Sequence, residues 1–270
     1  MKAYPAIEVR TNSPDVALAW VDDFGPTAVD EERDGTVRIF FPSTAARDQA
    51  LRALAPRFVA SAIEVSDEDW ARRSQDNLTA VTVDRITIHP RPESRPQASD
   101  AIDIVVVPSM GFGTGHHATT RLCLAALQQL DLDRKDVLDV GTGSGVLAMA
   151  ARRLGAERVL GIDSDPDAIE SANDNLALNP EATAVEFAIA DLALAPLPKA
   201  DVVTANLTSA LLIRSAGPLV AAVLPGGTLI LSGILTHERD SVVAAYAFGT
   251  SLASEREEEG WLGIVLRASG

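Results

Sequence analysis

The sequence predicts an α/β protein with a doubly wound, mostly parallel sheet and a small N-terminal α+β domain of the ferredoxin-like type. Three observations support this prediction. From Ile102 onward, short β-branched segments alternate with helical ones. A glycine-rich turn follows the apolar segment Val137–Val140. Within residues 1–65 the pattern reads strand, helix, strand, helix, strand.

A proline-rich segment predicts where the chain divides. Three prolines between Pro90 and Pro96 remove backbone donors and fix φ, so regular structure stops there. We expect residues 1–65 to form a small substrate-recognition domain, 66–100 a linker with a helix and a strand, and 101–270 the large domain.

The elements follow in chain order. In the small domain, strands are predicted over 6–10, 36–41 and 58–65, with helices starting at Ser13-Pro14-Asp15 and at Ser43 or Thr44. The linker should hold a helix starting at Ser66 and one strand over 79–89. In the large domain, strands are predicted over 102–107, 137–140, 159–162, 185–188, 202–205, 228–232 and 264–266. Helices are predicted over 119–130, 146–154, 165–178, 209–223 and 238–248.

Composition and charge limit the kinds of partner and the cellular compartment that the sequence predicts. The 270 residues are 47% hydrophobic and 23% charged, which is ordinary for a globular protein. The net charge of −15 argues against direct binding to nucleic acid or anionic lipid, and is compatible with a basic protein partner. With a single cysteine, no apolar run of spanning length and no signal-peptide core, we expect a soluble cytoplasmic protein.

The segment Val137–Ala148 is the strongest functional signal. An apolar strand leads into Gly141, Gly143 and Gly145 and then into a helix, so a ligand can lie close to the backbone. Asp163 follows Gly141 by 22 residues, where a carboxylate can accept hydrogen bonds from both ribose hydroxyls of a nucleoside cofactor. The alternative is a glycine-rich turn followed by a helix-capping Asp.

The glycine spacing discriminates between cofactors. It is G-x-G-x-G rather than the G-x-G-x-x-G of dinucleotide sites, and Asp139 precedes it by two residues. Asp139 is placed to hold a positive group or to order the loop. An acid there would repel a pyrophosphate but suits S-adenosylmethionine, which carries a sulfonium and an ammonium group. The segment resembles motif I of the class I S-adenosylmethionine-dependent methyltransferases, which have a Rossmann-like fold, and Asp163 resembles their ribose-binding acid.

Two later polar residues follow predicted strands. Asp191 lies where methyltransferases often place an acid near the adenine amino group, although it can also be a loop cap. Asn206 offers a donor and an acceptor at the sheet edge where open α/β sheets bind ligands, or else it caps the next helix.

The upstream segment Met110–Leu124 is predicted to form a polar lid over a helix N-terminus. It contains G-F-G-T-G-H-H-A-T-T, and the alternative is an ordinary glycine-rich loop with a capping Thr. With Gly141 following Thr120 by 21 residues, it resembles the bacterial methyltransferases of the eleventh large-subunit ribosomal protein, the PrmA-like family. The resemblance covers most of residues 66–267, including Trp70 and Asn206.

This resemblance implies transfer of methyl groups from S-adenosylmethionine to amino groups of a basic ribosomal protein. It implies cofactor contacts in three places: the lid segment, the glycine loop with the strand before it, and the ends of later strands. These residues are Phe112, Gly113, Thr114, Thr120, Asp139, Gly141, Gly143, Asp163, Asp191 and Asn206. Asn206 and His117 would orient the acceptor amine. No three closely spaced ligands accompany the pair His116-His117, so no metal is expected.

The sequence also departs from the family pattern. His116 stands where Thr is usual, Ala118 where Pro is usual, and Arg73 to Gln75 replace a Trp and Lys. These changes bear on the acceptor rather than the cofactor. The alternatives are a methyltransferase of another protein or a small molecule, a non-catalytic nucleoside-binding module, and a nicotinamide oxidoreductase.

Overall fold

The computed structural model describes residues 3–11, 17–18, 20–21, 24–31, 35–66, 79–96, 101–107, 116–192 and 196–270. The chain divides into two compact units, Met1–Asp76 and Asn77–Gly270. Within the described residues, no helix has the length and hydropathy needed to cross a bilayer.

The first unit is an antiparallel sheet with a packed helix. Its elements are β1 (Ala3–Arg10), β2 (Ala28–Glu31), β3 (Thr36–Phe40), α1 (Thr44–Leu54) and β4 (Ala60–Ser66). The sheet order β2-β3-β1-β4 is that of a ferredoxin-like sheet and confirms the predicted class. The short, acidic strand β2 was not predicted. Ala17 and Leu18 are helical, whereas the predicted start at Ser13-Pro14-Asp15 lies outside the described residues. Ser66, predicted to begin the linker helix, is the last residue of β4, and the residues predicted to follow it in that helix lie outside the described part of the chain.

The second unit begins with a small three-stranded sheet made of β5 (Val81–Val83), β6 (Ile86–His89) and β7 (Ile102–Val105). The prediction of a single strand over 79–89 is wrong, because Asp84 adopts a φ of 50° and reverses the chain into a hairpin. A 3₁₀ turn over Pro92–Ser94 links β6 to β7.

The rest of the second unit alternates helices and strands. Its elements are α2 (Ala118–Leu127), β8 (Asp136–Val140), α3 (Val146–Arg153), β9 (Arg158–Asp163), α4 (Pro166–Ala177), β10 (Val185–Ile189), β11 (Ala200–Asn206), α5 (Ser209–Arg214), α6 (Ala216–Ala222), β12 (Val223–Leu235), α7 (Arg239–Tyr246), β13 (Thr250–Glu258) and β14 (Trp261–Ala268). A 3₁₀ turn over Thr236–Glu238 precedes α7.

The large sheet has the strand order β10-β9-β8-β11-β12-β14-β13. Neighbours from β10 to β12 pair in parallel, and β14 pairs antiparallel with β12 and β13. This confirms a doubly wound, mostly parallel sheet. Two buried apolar clusters cover it, one including Leu124 and Met149 of α2 and α3, the other including Leu212 and Tyr246 of α5 and α7.

One predicted helix is in fact two helices and one strand was missed, and each difference has an identifiable reason. The single helix over 209–223 is two helices separated at Ser215, because Pro218 has no N–H and its ring would clash with the carbonyl of Arg214. Strand β13 was not predicted. Its residues are mostly exposed at the sheet edge and end in a charged run, so they lack the alternation that marks a half-buried strand.

Candidate functional site

The candidate site lies along one edge of the large sheet, which we call the carboxyl edge. It is formed by the carboxyl ends of β8 to β12 and by the amino end of β14, because Trp261 pairs with Leu235 at the end of β12. Parallel strands present their carboxyl ends at a common edge, and open α/β sheets bind ligands there. Of the residues predicted to bind a cofactor, Gly141, Asp163 and Asn206 lie at the ends of these strands or directly after them.

The glycine loop sits between β8 and α3. Gly141, Gly143 and Gly145 have φ values of 70°, 53° and 79°, in the left-handed region that favours glycine. The amides of Gly141 and Thr142 both donate to the carbonyl of Ile162, at 2.8 and 2.9 Å, so the loop is fixed against β9. The loop therefore presents backbone, without side chains at these three positions, to the carboxyl edge.

Asp163 ends β9 beside this loop. Its Oδ2 accepts from the amide of Gly143 at 3.1 Å, and its Oδ1 accepts from the amide of Asp165 at 3.0 Å. The carboxylate is partly exposed, and each oxygen has a second lone pair. The side chain is thus held rigidly while it can still accept two hydrogen bonds from a ligand. Asp165, by contrast, caps α4 by accepting from the amide of Asp167.

Asp139 lies beneath the loop rather than at its surface. It is 1% exposed, and its two oxygens accept from the hydroxyls of Thr142 at 2.7 Å and Thr204 at 2.6 Å. The Thr142 contact ties the loop to β8, and the Thr204 contact ties β8 to β11. Of the two roles considered for this acid, the contacts favour ordering the loop. Burial raises the pKa of the Asp139 carboxyl, opposed by the hydrogen bonds from Thr204 and Thr142.

This raised pKa predicts a pH dependence of stability. An acid whose pKa is higher in the folded than in the unfolded state contributes stability below its unfolded pKa, about 3.9, and loses it as the pH rises towards the folded pKa. We expect the unfolding free energy of the wild type, relative to Asp139→Asn, to fall between about pH 4 and the folded pKa and then to level off. Urea unfolding of both proteins across this range measures it. A difference that grows with pH would contradict the assignment.

The outer end of the carboxyl edge, beside β9, is formed by the end of β10. Ile189 pairs with Asp163 in the parallel register and is 60% exposed, which is high for an isoleucine at the end of a strand. Sequence reasoning missed this residue, because a single apolar residue at a strand end carries no signal. Asp191 is exposed two residues further on. The pair offers an apolar surface and a carboxylate beside Asp163.

Asn206 ends β11 in the middle of the carboxyl edge. It is partly exposed and pairs with Ser232 of β12. The amide of the following Leu207 donates to the carbonyl of Ser232 at 3.0 Å, so the backbone around Asn206 is fixed. Gly233, with a φ of 85°, lets β12 pass against the backbone of Leu207.

His117 caps α2 at the far side of the edge. The amide of Thr119 donates to its Nδ1 at 3.4 Å, so Nδ1 is the unprotonated nitrogen and Nε2 carries the proton. The Thr119 hydroxyl lies 2.8 Å from the same nitrogen, and the ring meets Trp261 edge-on with centroids 4.9 Å apart. Partial burial and the guanidinium of Arg121 lower the pKa of His117, and the Glu259 carboxylate opposes them.

The remaining predicted residues fall into two groups. Thr120 is 2% exposed in the first turn of α2, with its amide hydrogen-bonded to the carbonyl of His117 at 3.1 Å. Phe112, Gly113, Thr114 and Trp70 lie outside the described residues. In the part of the chain that is described, no three His, Cys, Asp or Glu side chains are arranged to bind a metal ion.

Two buried asparagines of α4 and its C-terminal extension support the site and were not anticipated. Asn175 accepts from the amide of Val107 at 3.0 Å and donates to the carbonyl of Ser144, in the glycine loop, at 3.1 Å. Asn179 binds both backbone groups of Val105 at 2.8 and 2.7 Å. Asn175 thus joins the chain after β7 to the glycine loop, and Asn179 holds the end of β7 itself. Spacing along one helix gives no sign of such contacts, since their partners lie up to 74 residues away.

Comparison with known proteins gives a consistent result. The profile of the family described as ribosomal protein L11 methyltransferase (PrmA) matches residues 25–269. A ribosomal protein L11 methyltransferase of Geobacter sulfurreducens is 39% identical over 280 residues, covering 98% of this chain and 92% of that protein. Another, from Pseudomonas aeruginosa, is 41% identical over 204 residues, covering 74% of this chain and 68% of that protein.

Among solved structures, a ribosomal protein L11 methylase of Lactobacillus delbrueckii subsp. bulgaricus superposes with a TM-score of 0.66 at 26% identity. The match covers 72% of this chain and all of that one. The predicted Rossmann-like methyltransferase architecture and the resemblance to the PrmA-like family are both confirmed. The chain therefore belongs to the ribosomal protein L11 methyltransferase (PrmA) family.

Proposed function

We propose that this protein transfers methyl groups from S-adenosylmethionine to amino groups of ribosomal protein L11. The observation that carries the proposal is the arrangement of Asp163 beside the glycine loop, in a chain that belongs to this family. A carboxylate held by two backbone amides, next to a loop without side chains, is what a nucleoside cofactor without a pyrophosphate needs. The acceptor named for the relatives gives the substrate.

The residues present fit this cofactor. Asp163 can accept from the two ribose hydroxyls, Ile189 can lie against the adenine ring, and the loop from Gly141 to Gly145 can approach the methionine part closely. Asp191 is placed to accept from the adenine amino group. When bound, S-adenosylmethionine supplies a methyl group on a sulfonium, which is already a good leaving group.

The order of the strands sets the direction from which the acceptor approaches. Along the carboxyl edge, Asp163 on β9 is followed by the glycine loop of β8, then Asn206 of β11, then Trp261 of β14. Asp163 would hold the ribose of the cofactor, Asn206 would lie next along the edge, and His117 and Trp261 would line the side open to the acceptor amine. The Asn206 amide oxygen can accept a hydrogen bond from the amine and so aim its lone pair.

The proton of the acceptor ammonium group is lost to solvent. Burial and the guanidinium of Arg121 lower the pKa of His117, which favours its neutral form, and its Nδ1 accepts from the amide of Thr119. Its Nε2–H is a donor and cannot take a proton from an ammonium group. His117 therefore orients groups at the site, and the amine reacts after losing its proton to water.

The net charge of this protein and the place of the reaction both agree with a ribosomal protein as the methyl acceptor. A net charge of −15 favours encounter with a basic ribosomal protein and disfavours direct contact with RNA or an anionic membrane. We place the reaction in the cytoplasm, where ribosomal proteins are made and assembled.

Cofactor identity is tested by calorimetry with S-adenosylmethionine and with NAD. We expect heat of binding from the first and none from the second, because the G-x-G-x-G spacing differs from the G-x-G-x-x-G of dinucleotide sites. Binding of NAD alone would favour the oxidoreductase alternative. Binding of S-adenosylmethionine without methyl transfer to any protein would favour a non-catalytic nucleoside-binding module.

The first unit is proposed to select the substrate. Its ferredoxin-like sheet carries none of the carboxyl-edge residues, and it forms a compact unit of its own. We expect residues 77–270 alone to keep the cofactor dissociation constant of the full chain and to lose methylation of L11. Calorimetry and a methylation assay on both proteins measure this, with circular dichroism as the folding control. A folded 77–270 fragment that methylates L11 at the full rate would remove the recognition role.

A further inference from the structure

The tip of the β13–β14 hairpin is a two-residue turn with a regular backbone conformation. Glu259 and Gly260 have φ values of 53° and 80°, and they connect Glu258 to Trp261, which pair directly across the strands. Two consecutive left-handed residues are typical of a type I′ turn, whose twist matches that of the strands. Since directly opposite residues of an antiparallel pair point to the same face, Glu258 and Trp261 project side by side.

Arg121, in the first turns of α2, binds this tip. Its Nε donates to Glu258 Oε1 at 2.7 Å, and its Nη2 pairs with Glu259 Oε1 at 3.0 Å. Its Nη1 donates to the backbone carbonyl of His116, immediately before the helix cap. One guanidinium thus joins three acceptors, two on the hairpin and one at the start of α2. The side chains of Arg121 and Glu258 are 17% and 31% exposed, so water competes weakly for that pair, whereas the Glu259 side chain is 70% exposed and its pair with Arg121 is the weaker contact.

The aromatic contact lies next to the ionic one. His117 meets Trp261 edge-on with an interplanar angle of 67°, and Trp261 is the neighbour of Glu258 across the hairpin. The start of α2 therefore touches the hairpin tip at two adjacent points. If the tip moved, Trp261 would move relative to Asn206, which lies two strands away along the carboxyl edge.

We propose that Arg121 is a positioning residue for methyl transfer: it clamps the hairpin tip to the start of α2 and so fixes His117 and Trp261 as the wall on which the acceptor amine rests. The proposal deepens the proposed function and rests on it. A guanidinium is suited to this role because its planar fork spreads five donors over three nitrogens, whereas the three donors of a lysine ammonium lie on a single nitrogen. Small displacements of a positioned acceptor cost about a hundredfold in rate.

The test compares Arg121→Gln and Arg121→Lys with the wild-type full chain. We expect kcat for L11 methylation to fall about tenfold to a hundredfold in both, with the dissociation constant of S-adenosylmethionine within about twofold of wild type. The matched control is Arg239→Gln, which removes an Arg–Glu pair to Glu255 on the same strand but away from the tip. Its kcat should be that of the wild type.

Two spectroscopic readouts separate positioning from charge. The indole N–H resonance of Trp261, assigned by its loss in Trp261→Phe, should shift in both Arg121 variants and not in Arg239→Gln. The titration midpoint of His117 should rise in Arg121→Gln, because Arg121 lowers its pKa while Glu259 opposes, and it should change less in Arg121→Lys, which keeps the positive charge. These readouts need no methyl transfer, so they remain decisive if the wild type fails to methylate L11.

Three results would overturn the proposal. The first is retention of the wild-type kcat and indole resonance by Arg121→Gln. The second is full retention of both by Arg121→Lys, which would leave charge alone as the cause. The third is a loss of cofactor affinity as large as the loss of kcat, which would indicate general misfolding rather than positioning. If the wild type fails to methylate L11 while the Trp261 resonance and the His117 titration midpoint change as expected, the proposed substrate is contradicted and the positioning role of Arg121 stands.

Discussion

Replacement of Asp163 by alanine is expected to weaken S-adenosylmethionine binding by about 10- to 150-fold. A hydrogen bond to a charged group contributes about 1.5–3 kcal/mol, and each 1.4 kcal/mol is about tenfold in affinity. Asp163 is already held by the amides of Gly143 and Asp165, so the wild-type side chain loses little freedom when the ribose binds. Calorimetry of wild type and variant measures the change directly.

The controls separate a contact from a general effect of charge. Asp165→Asn removes a neighbouring carboxylate but keeps a good helix cap, so its affinity should stay close to wild type. Asp163→Asn keeps the size and one acceptor and should fall between wild type and alanine. If Asp163→Ala stayed folded and bound the cofactor normally, Asp163 would serve only to join the glycine loop to α4.

Gly233→Ala is expected to cost about 2–5 kcal/mol of stability and to abolish methylation. A Cβ at this position would lie 2.1 Å from the carbonyl oxygen of Leu207, and the φ of 85° is strained for any side chain. The left-handed conformation costs about 1–2 kcal/mol, and overpacking against neighbouring atoms a further 1–3 kcal/mol. The group that must move is backbone, directly after Asn206.

Gly226→Ala is the matched control on the same strand. Gly226 also has a positive φ, 72°, but a Cβ there meets nothing within 4 Å. It should therefore show the backbone strain alone, about 1–2 kcal/mol, with normal methylation per folded molecule. Denaturant unfolding and activity of both variants test the difference. Equal losses in the two variants would mean that the close approach at Leu207 does not position the site.

The sheet was predictable from the sequence because its central strands are apolar and short. Runs such as Val137–Val140 have one stable location, between two helical layers, so pattern alone places them. The edge strand β13 has no such constraint, since one of its sides pairs and its residues are solvated. The helix break at Ser215 follows from Pro218, which is visible in the sequence and whose local chemistry outweighed the apolar periodicity of 209–223.

The site was predictable where it follows strands and hidden where it depends on tertiary contacts. Asp163 and Asn206 come directly after strands, so topology alone brings them to one edge. Arg121 and Glu258 are 137 residues apart, and nothing in either neighbourhood indicates the other. Asp139 was found by its spacing to the glycines, but only its burial favours ordering of the loop over contact with ligand.

Methyl transfer to L11 is tested most directly by incubating the purified chain with purified L11 and isotopically labelled S-adenosylmethionine. Mass spectrometry of L11 then measures the product. We expect mass increments of whole methyl groups on L11, mapped to amino groups of lysine side chains or the N-terminus, and their absence when Asp163→Ala replaces the wild type at limiting cofactor. The same reaction with an unrelated basic protein should give no label. Labelled cofactor that binds the wild-type chain but leaves L11 at its original mass would contradict the central claim.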